Sequence, residues 1–368
     1  MCGKRQAESL LTDRGTAFFD RTAKDGKAMK ALVKFGKGRE GMELRELPVP
    51  KPKDGEILLR IKAAGICGSD VHTMFDQRET AIPVTLGHEF AGVVEETCGD
   101  SCGLKKGDWV TGIPACYNCG HCEFCRRGEV TLCPEHKSLG VFKDGAMAEY
   151  MVMPARYAFR IPDEAGDKEI YAAAEPLGCI ARGIFERLDV KKGDVVVVSG
   201  PGTMGLFAVE CLKAAGAHVV VSGLPADHER LALAKKLGAE ETAESTEELE
   251  EILKRVSPGG ADIAVEAAGV APSMNTCLRV VKIQGTILSA GLISGKHSID
   301  FGQVFAKEVT IVGTNSTAVS TWHKVMAMMK EGKLDLRPLV SLRLPLDEWE
   351  KGFDATINKT AYKVLLIP

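Results

Sequence analysis

The sequence predicts an α/β protein in which a doubly wound parallel sheet is joined to a β-rich domain. Three observations carry this. The chain has 368 residues, enough for two cores. From Met29 to about Arg182, short alternating runs are broken by Pro/Gly turns. From Asp194 onward, apolar strand runs alternate with segments of helical period, which means βαβ units with both sheet faces covered.

Taken in order, Met29-Lys30-Ala31-Leu32-Val33 opens the β-rich domain. Ile57–Ile61 and Gly92–Glu95 continue it, and Leu47–Pro52 supplies a turn. Val195–Val198 is a buried-strand run, Leu206–Ala215 a helix and Val219–Val221 a second strand. The helix Arg230–Leu237, the strand Ile263–Val265, the helix Met274–Val281 and the strand Thr286–Leu288 extend the alternation. Glu240–Glu251 reads as a solvated helix face, and Val309–Gly313 as an edge strand. The tail Lys363–Ile367 reads as a strand returning to the first domain. The expected boundaries are an extension over residues 1–28, a β-rich domain over 29–182 with a cysteine lobe at about 114–135, a parallel-sheet domain over 183–317 and a return over 318–368.

Composition excludes several classes. Apolar residues at 45% and charged residues at 26% describe a soluble globular chain. A formal charge of −3 with no basic stripe argues against nucleic-acid binding. No apolar run approaches the roughly 20 residues that cross a bilayer. Residues 1–28 lack the apolar segment of a secretory signal, and Glu8, Asp13, Asp20 and Asp25 interrupt what would be a basic transit sequence. The expected location is cytoplasmic, and in a reducing compartment 12 cysteines point to metal rather than disulfides.

Four of these, Cys119, Cys122, Cys125 and Cys133, fall as C-x2-C-x2-C-x7-C. Thiolates this close converge on one tetrahedral ion without help from distant chain, and an all-sulfur site prefers zinc. With no open position, such a site is structural. Cys116 stands one CxxC step earlier and is the alternative ligand.

The turn after Val195–Val198 is Gly200-Pro201-Gly202-Thr203-Met204-Gly205, with a strand before it and a helix after. The first glycine turns the chain, the second admits a pyrophosphate and the third lets helix pack on strand. The phosphate then meets the helix N-terminus. The second strand ends in Val221-Ser222-Gly223, with no carboxylate at its tip to read a ribose. Ser222 and Gly223 tolerate a 2′-phosphate that His228 or Arg230 can pair, while Asp227 opposes it. The cofactor is therefore NAD or NADP, with the balance toward NADP.

Gly65-Ile66-Cys67-Gly68-Ser69-Asp70-Val71-His72 is followed by Gly87-His88-Glu89. Cys67 and His88 offer a sulfur and an imidazole nitrogen, and Glu89 or a later carboxylate a third ligand. Three protein ligands leave a fourth position open, as catalytic zinc requires.

With these motifs the chain, from about Met29 to Pro368, resembles the zinc-containing medium-chain dehydrogenase/reductases. Gly107-Asp108 and Gly92 also match. The resemblance implies a GroES-like catalytic domain split around a Rossmann domain, and two zinc ions per chain. Zinc would polarise a carbinol or carbonyl oxygen while hydride passes to or from nicotinamide. Around Glu175-Pro176-Leu177-Gly178-Cys179 many alcohol dehydrogenases place a cysteine ligand, whereas Glu-Pro-Leu is similar to the sorbitol, threonine and sugar dehydrogenase branch. Carried over, Cys67, His88 and Glu89 are ligands and Glu175 is a ligand or a partner of the zinc water. Cys179 is a weaker substitute. Ser69 is the first member of the proton relay and His72 a candidate later one. Asp70 fixes the loop or pairs with a cation, and Lys307, Glu308 and Lys363 are expected to pack. The implied function is oxidation of a secondary hydroxyl in a polyol, sugar or related small hydroxy compound by a homodimer or homotetramer. Oxidation of threonine or of simple alcohols is the alternative within the class. A nucleotide-binding member without activity is the rival outside it. Residues 1–28, Cys98, Cys102 and the missing acid near Gly223 depart from the family pattern.

Overall fold

The computed structural model describes residues 27–293 and 295–368, so the extension expected over residues 1–28 falls outside it up to residue 26. The chain divides into two units. The first holds the residues up to Cys119, Pro134–Ala172 and Leu342–Pro368, and the second holds Gly120–Cys133 and Ala173–Ser341.

The first unit is built on antiparallel pairing. Its strands are β1 (Ala28–Lys34), β2 (Met42–Pro48), β3 (Glu56–Gly65), β4 (Val84–Thr85), β5 (Glu89–Cys98), β6 (Trp109–Gly112), β7 (Ala115–Tyr117), β8 (Lys137–Ser138), β9 (Tyr150–Pro154) and β10 (Ala158–Arg160). β3 pairs with both β5 and β9, and Ile57, Leu59, Ile61 and Ala63 are buried on it. Leu58 and Ala64, on the opposite face, are buried as well, and burial on both faces is why β3 reads as a nearly continuous apolar run rather than as a strict alternation.

The second unit carries β11 (Val195–Ser199), β12 (His218–Ser222), β13 (Glu241–Ala243), β14 (Ala261–Glu266), β15 (Val281–Ser289) and β16 (Thr310–Gly313). All five pairings are parallel, in the order β13-β12-β11-β14-β15-β16. The strand order reverses beside β11, which places a ligand crevice at the carboxyl ends of β11 and its neighbours. β16 lies at the sheet edge, as Val309–Gly313 was expected to.

The chain returns to the first unit through β17 (Val340–Pro345) and β18 (Lys363–Ile367); β18 pairs with both β3 and β17.

The crossings differ from expectation. The chain leaves the first unit at Ala173 and comes back at Leu342, where the sequence suggested 183 and 318. The cause is a pair of helices, Ala174–Arg182 and Val319–Lys330, that belong to the second unit. Trp322 is wholly buried there, and a Cβ on Gly178 would lie 3.9 Å from its ring. The cysteine lobe, expected within the β-rich domain, likewise joins the second unit over Gly120–Cys133. Glu129 and Thr131 bond there to Arg182 and Thr317. Among the described residues no helix is long and apolar enough to cross a membrane.

Candidate active site and metal centres

The antiparallel register sets Gly65, the last residue of β3, opposite Glu89, the first of β5. Cys67, two residues past the end of β3, and His88, one before β5, therefore emerge at the same end of the sheet. A Cβ at Gly65 would stand 2.0 Å from Glu89 Oε2, so only glycine leaves room for that carboxylate. One ligand atom each from Cys67, His88 and Glu89 lies within 4.8 Å of the others.

Asp70 fixes this corner twice. Its Oδ2 accepts from the Cys67 backbone N–H at 2.9 Å, closing the first turn of the helix Gly68–Met74. Its Oδ1 lies 3.3 Å from His88 Nδ1, which aims the other ring nitrogen at the pocket. Burial opposes a charge on His88, but Asp70 and Cys67 outweigh it and hold its pKa well above the ordinary imidazole value. Ser69 Oγ stands 3.3 Å from His88 Nε2. His72, one turn after Ser69 on the helix Gly68–Met74, has Nδ1 2.6 Å from Gln77 Oε1.

Lys363, expected only to pack, instead forms a buried ion pair. Its Nζ donates to Glu89 Oε1 at 2.8 Å and Oε2 at 2.7 Å, and to the Ile66 carbonyl at 3.0 Å. Burial works against its charge, yet Glu89 and Cys67 raise its pKa above the usual lysine value. Asp70 and Glu89 are nearly or wholly inaccessible. Metal binding would take the place of the proton on His88, and the Cys67, Asp70 and Glu89 groups would then face Lys363 and a divalent cation. Sulfur, nitrogen and oxygen donors with an open position suit zinc.

The lobe brings Cys119, Cys122, Cys125 and Cys133 together with their sulfurs within 4.8 Å of one another. That compares with ~3.8 Å between sulfurs on a tetrahedron with Zn–S of ~2.3 Å. Cys122 Sγ also accepts from the Cys125 N–H at 3.5 Å. Cys116 turns away, its thiol donating to the Lys137 carbonyl at 3.0 Å, and burial pushes its pKa up to about 11. The later four are the set that converges.

At the glycine-rich turn, Gly200 has φ of +104° and its N–H donates to the Ser222 carbonyl at 2.8 Å. A Cβ on Gly205 would lie 1.9 Å from the Gly200 carbonyl oxygen, whereas one on Gly202 would meet nothing within 4 Å. The open side therefore lies at Gly202, just before Thr203, Met204 and the helix Thr203–Ala215. Pro201 packs against Gly223, where a Cβ would lie 2.9 Å from its ring. Asp227 turns inward, Oδ2 accepting from Leu224 N–H at 3.0 Å, and His228 Nδ1 lies 2.7 Å from Glu244 Oε1. Ser222 is buried and Arg230 half-buried.

Residues 53–163 match the family model for the alcohol dehydrogenase GroES-like domain, and residues 203–331 that for zinc-binding dehydrogenases. The chain is 33% identical to the sorbitol dehydrogenase of Halalkalibacterium halodurans over 92% of its length and 99% of that protein's. It is 34% identical to the L-threonine 3-dehydrogenase of Proteus mirabilis, over 92% and 99% of the two chains. A structure from Sinorhizobium meliloti, provisionally described as a zinc-binding dehydrogenase and bound to NADP, superposes with a TM-score of 0.84. It shares 30% identity and covers 93% of this chain and 100% of its own. The chain belongs to the zinc-binding alcohol dehydrogenase family. It is an NAD(P)-dependent oxidoreductase acting on alcohols.

In this dehydrogenase Glu175 belongs to the second unit, in the first turn of the helix Ala174–Arg182, where it is buried and accepts from the Cys179 thiol at 3.5 Å. Lys307, expected to pack, closes the end of the helix Ala271–Val280 by donating to Leu278, Arg279 and Val281 carbonyls at 2.7–3.0 Å. Sequence reasoning missed the Lys363–Glu89 pair. The available signal was a lysine heading the apolar run Lys363–Ile367, since a charge in a buried strand needs a counter-ion.

Proposed function

We propose that this dehydrogenase oxidises a secondary hydroxyl of a polyol, sugar or related hydroxy compound. The observation that carries the reading is the donor set Cys67, His88 and Glu89, in which a carboxylate takes the third place. One thiolate instead of two makes the site harder, which suits a substrate that chelates through two oxygens. The similarity to a sorbitol dehydrogenase supports it.

Zinc held by these three residues, with Glu175 as a further ligand or a partner of its water, would lower the pKa of a substrate hydroxyl. Ser69, at the lip of the pocket beside His88, takes the hydroxyl proton, and His72 passes it outward. Asp70 holds the His88 ring, and Lys363 offsets the charge of Glu89. A nicotinamide cofactor, which would supply the hydride acceptor, would be held by Gly200, Pro201, Gly202, Thr203, Met204 and Gly205, with Ser222, Gly223 and Arg230 nearby. A second zinc is held by Cys119, Cys122, Cys125 and Cys133. The preferred cofactor is NADP, because Asp227 spends its carboxylate on Leu224 instead of facing a ribose.

The same reading assigns the chain to a homodimer or homotetramer joined through β16. Ile311 on that strand and Phe301 and Phe305 on the adjoining helix Phe301–Lys307 are exposed, Phe305 at 89%. An open edge beside apolar side chains is a pairing surface. A cytoplasmic location fits the described cysteines, none of which is in a disulfide.

The test is a reduction screen with NAD and NADP over polyols, hexoses, threonine and simple alcohols, on wild type and Cys67→Ala. Polyol or sugar turnover that vanishes in Cys67→Ala supports the reading. Turnover on threonine or simple alcohols alone, or near-normal turnover in the variant, overturns it.

A further inference from the structure

The seven-residue gap between Cys125 and Cys133 has a use that zinc binding alone does not require. Gly128, Glu129 and Thr131 lie in it, and each bonds to the rest of the second unit. The Gly128 carbonyl accepts from Val319 N–H at 3.0 Å, and Thr131 Oγ1 donates to the Thr317 carbonyl at 2.8 Å. Glu129 Oε1 accepts from Arg182 Nη2 at 2.7 Å, while Arg127 holds its other oxygen at 2.6 Å. Arg182 is 2% exposed, and its Nη1 donates to the Asn315 carbonyl at 2.8 Å.

Arg182 ends the helix whose first turn carries Glu175. Segment 314–318, between β16 and the helix Val319–Lys330, is thus gripped on one side by the cysteine loop. On its other side it touches the Glu175 helix: a Cβ on Gly178 would lie 3.2 Å from Thr317 Oγ1, and Thr314 Oγ1 donates to the Cys179 carbonyl at 3.5 Å. A guanidinium is suited to this corner because its planar fork serves a carboxylate and a carbonyl at once.

We propose that the Cys125–Cys133 loop is a clamp on segment 314–318 and on the helix Ala174–Arg182, with Arg182 as the positioning residue that transmits the lobe's order to Glu175. The part concerning Glu175 rests on the function proposed above; the clamp itself does not. The two thiolates close the loop into one shape, and the loop's bonds then fix two segments that do not touch the metal.

The experiment is hydrogen exchange by mass spectrometry on the full chain. It compares wild type with Arg182→Met, Glu129→Gln and Cys125→Ser, alongside zinc counts and steady-state kinetics. The clamp predicts that peptides covering 174–182 and 313–319 exchange at least about tenfold faster in all three variants, the equivalent of losing one charge-assisted bond. Peptides in β11 and β14 should keep their protection. Arg182→Met and Glu129→Gln should retain the lobe zinc, and Arg182→Lys should recover part of the protection. In the kinetics, kcat should fall in Arg182→Met while the KM for the cofactor stays within about twofold, because the glycine turn is untouched. Should Arg182→Met not fold, Thr131→Val, which removes only the bond to Thr317, reads the same peptides. Unchanged exchange in 174–182 and 313–319, or a uniform rise over the whole second unit, overturns the clamp. Faster local exchange with normal kcat overturns only the link to Glu175. A chain with no alcohol turnover at all leaves the exchange comparison to decide.

Discussion

Replacing Lys363 with methionine removes one partner from a fully buried ion pair without changing the side-chain length much. Three bonds go with it, two to Glu89 and one to the Ile66 carbonyl. The Glu89 carboxylate, with no exposed surface, is left without its ammonium. Removing one partner of such a pair costs about 3–5 kcal/mol, most of it the penalty of the stranded charge. In zinc-loaded protein the metal supplies a second cation beside Glu89, and the cost should fall to about half. Urea denaturation of zinc-free and zinc-loaded protein, followed by a probe in the first unit, measures both values. Adding Glu89→Gln to Lys363→Met removes the stranded charge and should restore at least about 2 kcal/mol in a double-mutant cycle. A cost below about 1 kcal/mol in zinc-free protein, or the same cost with and without zinc, would refute the reasoning.

Three further predictions are independent of that pair. Burial raises the pKa of Glu210 to about 8, with Asp335 adding to the shift and only its backbone N–H, 3.4 Å away, opposing it. A folded pKa above the unfolded one means stability present below about pH 4.3 and lost as pH rises through 8, by up to about 1.4 kcal/mol per unit. Thermal unfolding of Glu210→Gln across pH 5–9 should show that loss flattened, and an unchanged profile would count against a protonated Glu210. Gly202→Val should raise the KM for the cofactor at least about tenfold while leaving the melting temperature within a few degrees. Its φ is −70° and its Cβ meets no protein atom, so the added bulk falls only where pyrophosphate is expected. Ser69→Ala should lower kcat by about 10²-fold or more with little change in zinc content, the scale of a lost proton acceptor; stopped-flow kinetics would show it.

The elements that decide themselves locally were legible. Val195–Val198 with Gly200–Gly205 announced a parallel sheet and its phosphate turn, because both signals lie within a dozen residues. The four cysteines did the same through spacing, and the sequence preferred the set that the structure brings together over Cys116. Pairings between distant residues were not legible. Lys363 and Glu89 are 274 positions apart, and Arg182 and Glu129 are 53 apart. A lysine or arginine near an apolar run announces that a counter-ion exists without saying which. The boundaries failed for a related reason. Val319–Lys330 buries one face and Ala174–Arg182 buries every residue except Cys179, and only their packing in the second unit, around Trp322 and Gly178, reveals their allegiance. His72 lies one turn after Ser69, on the same face of that helix, but the engagement of its Nδ1 with Gln77 Oε1 was not legible.

The central claim is that Cys67, His88 and Glu89 hold a catalytic zinc separate from the zinc of the four-cysteine lobe. Elemental analysis of purified wild type, Cys67→Ala and Cys122→Ser tests it most directly. The account predicts two zinc ions per chain in wild type and one in each variant, with alcohol oxidation lost in Cys67→Ala. One zinc per wild-type chain, or two in Cys67→Ala, would contradict it.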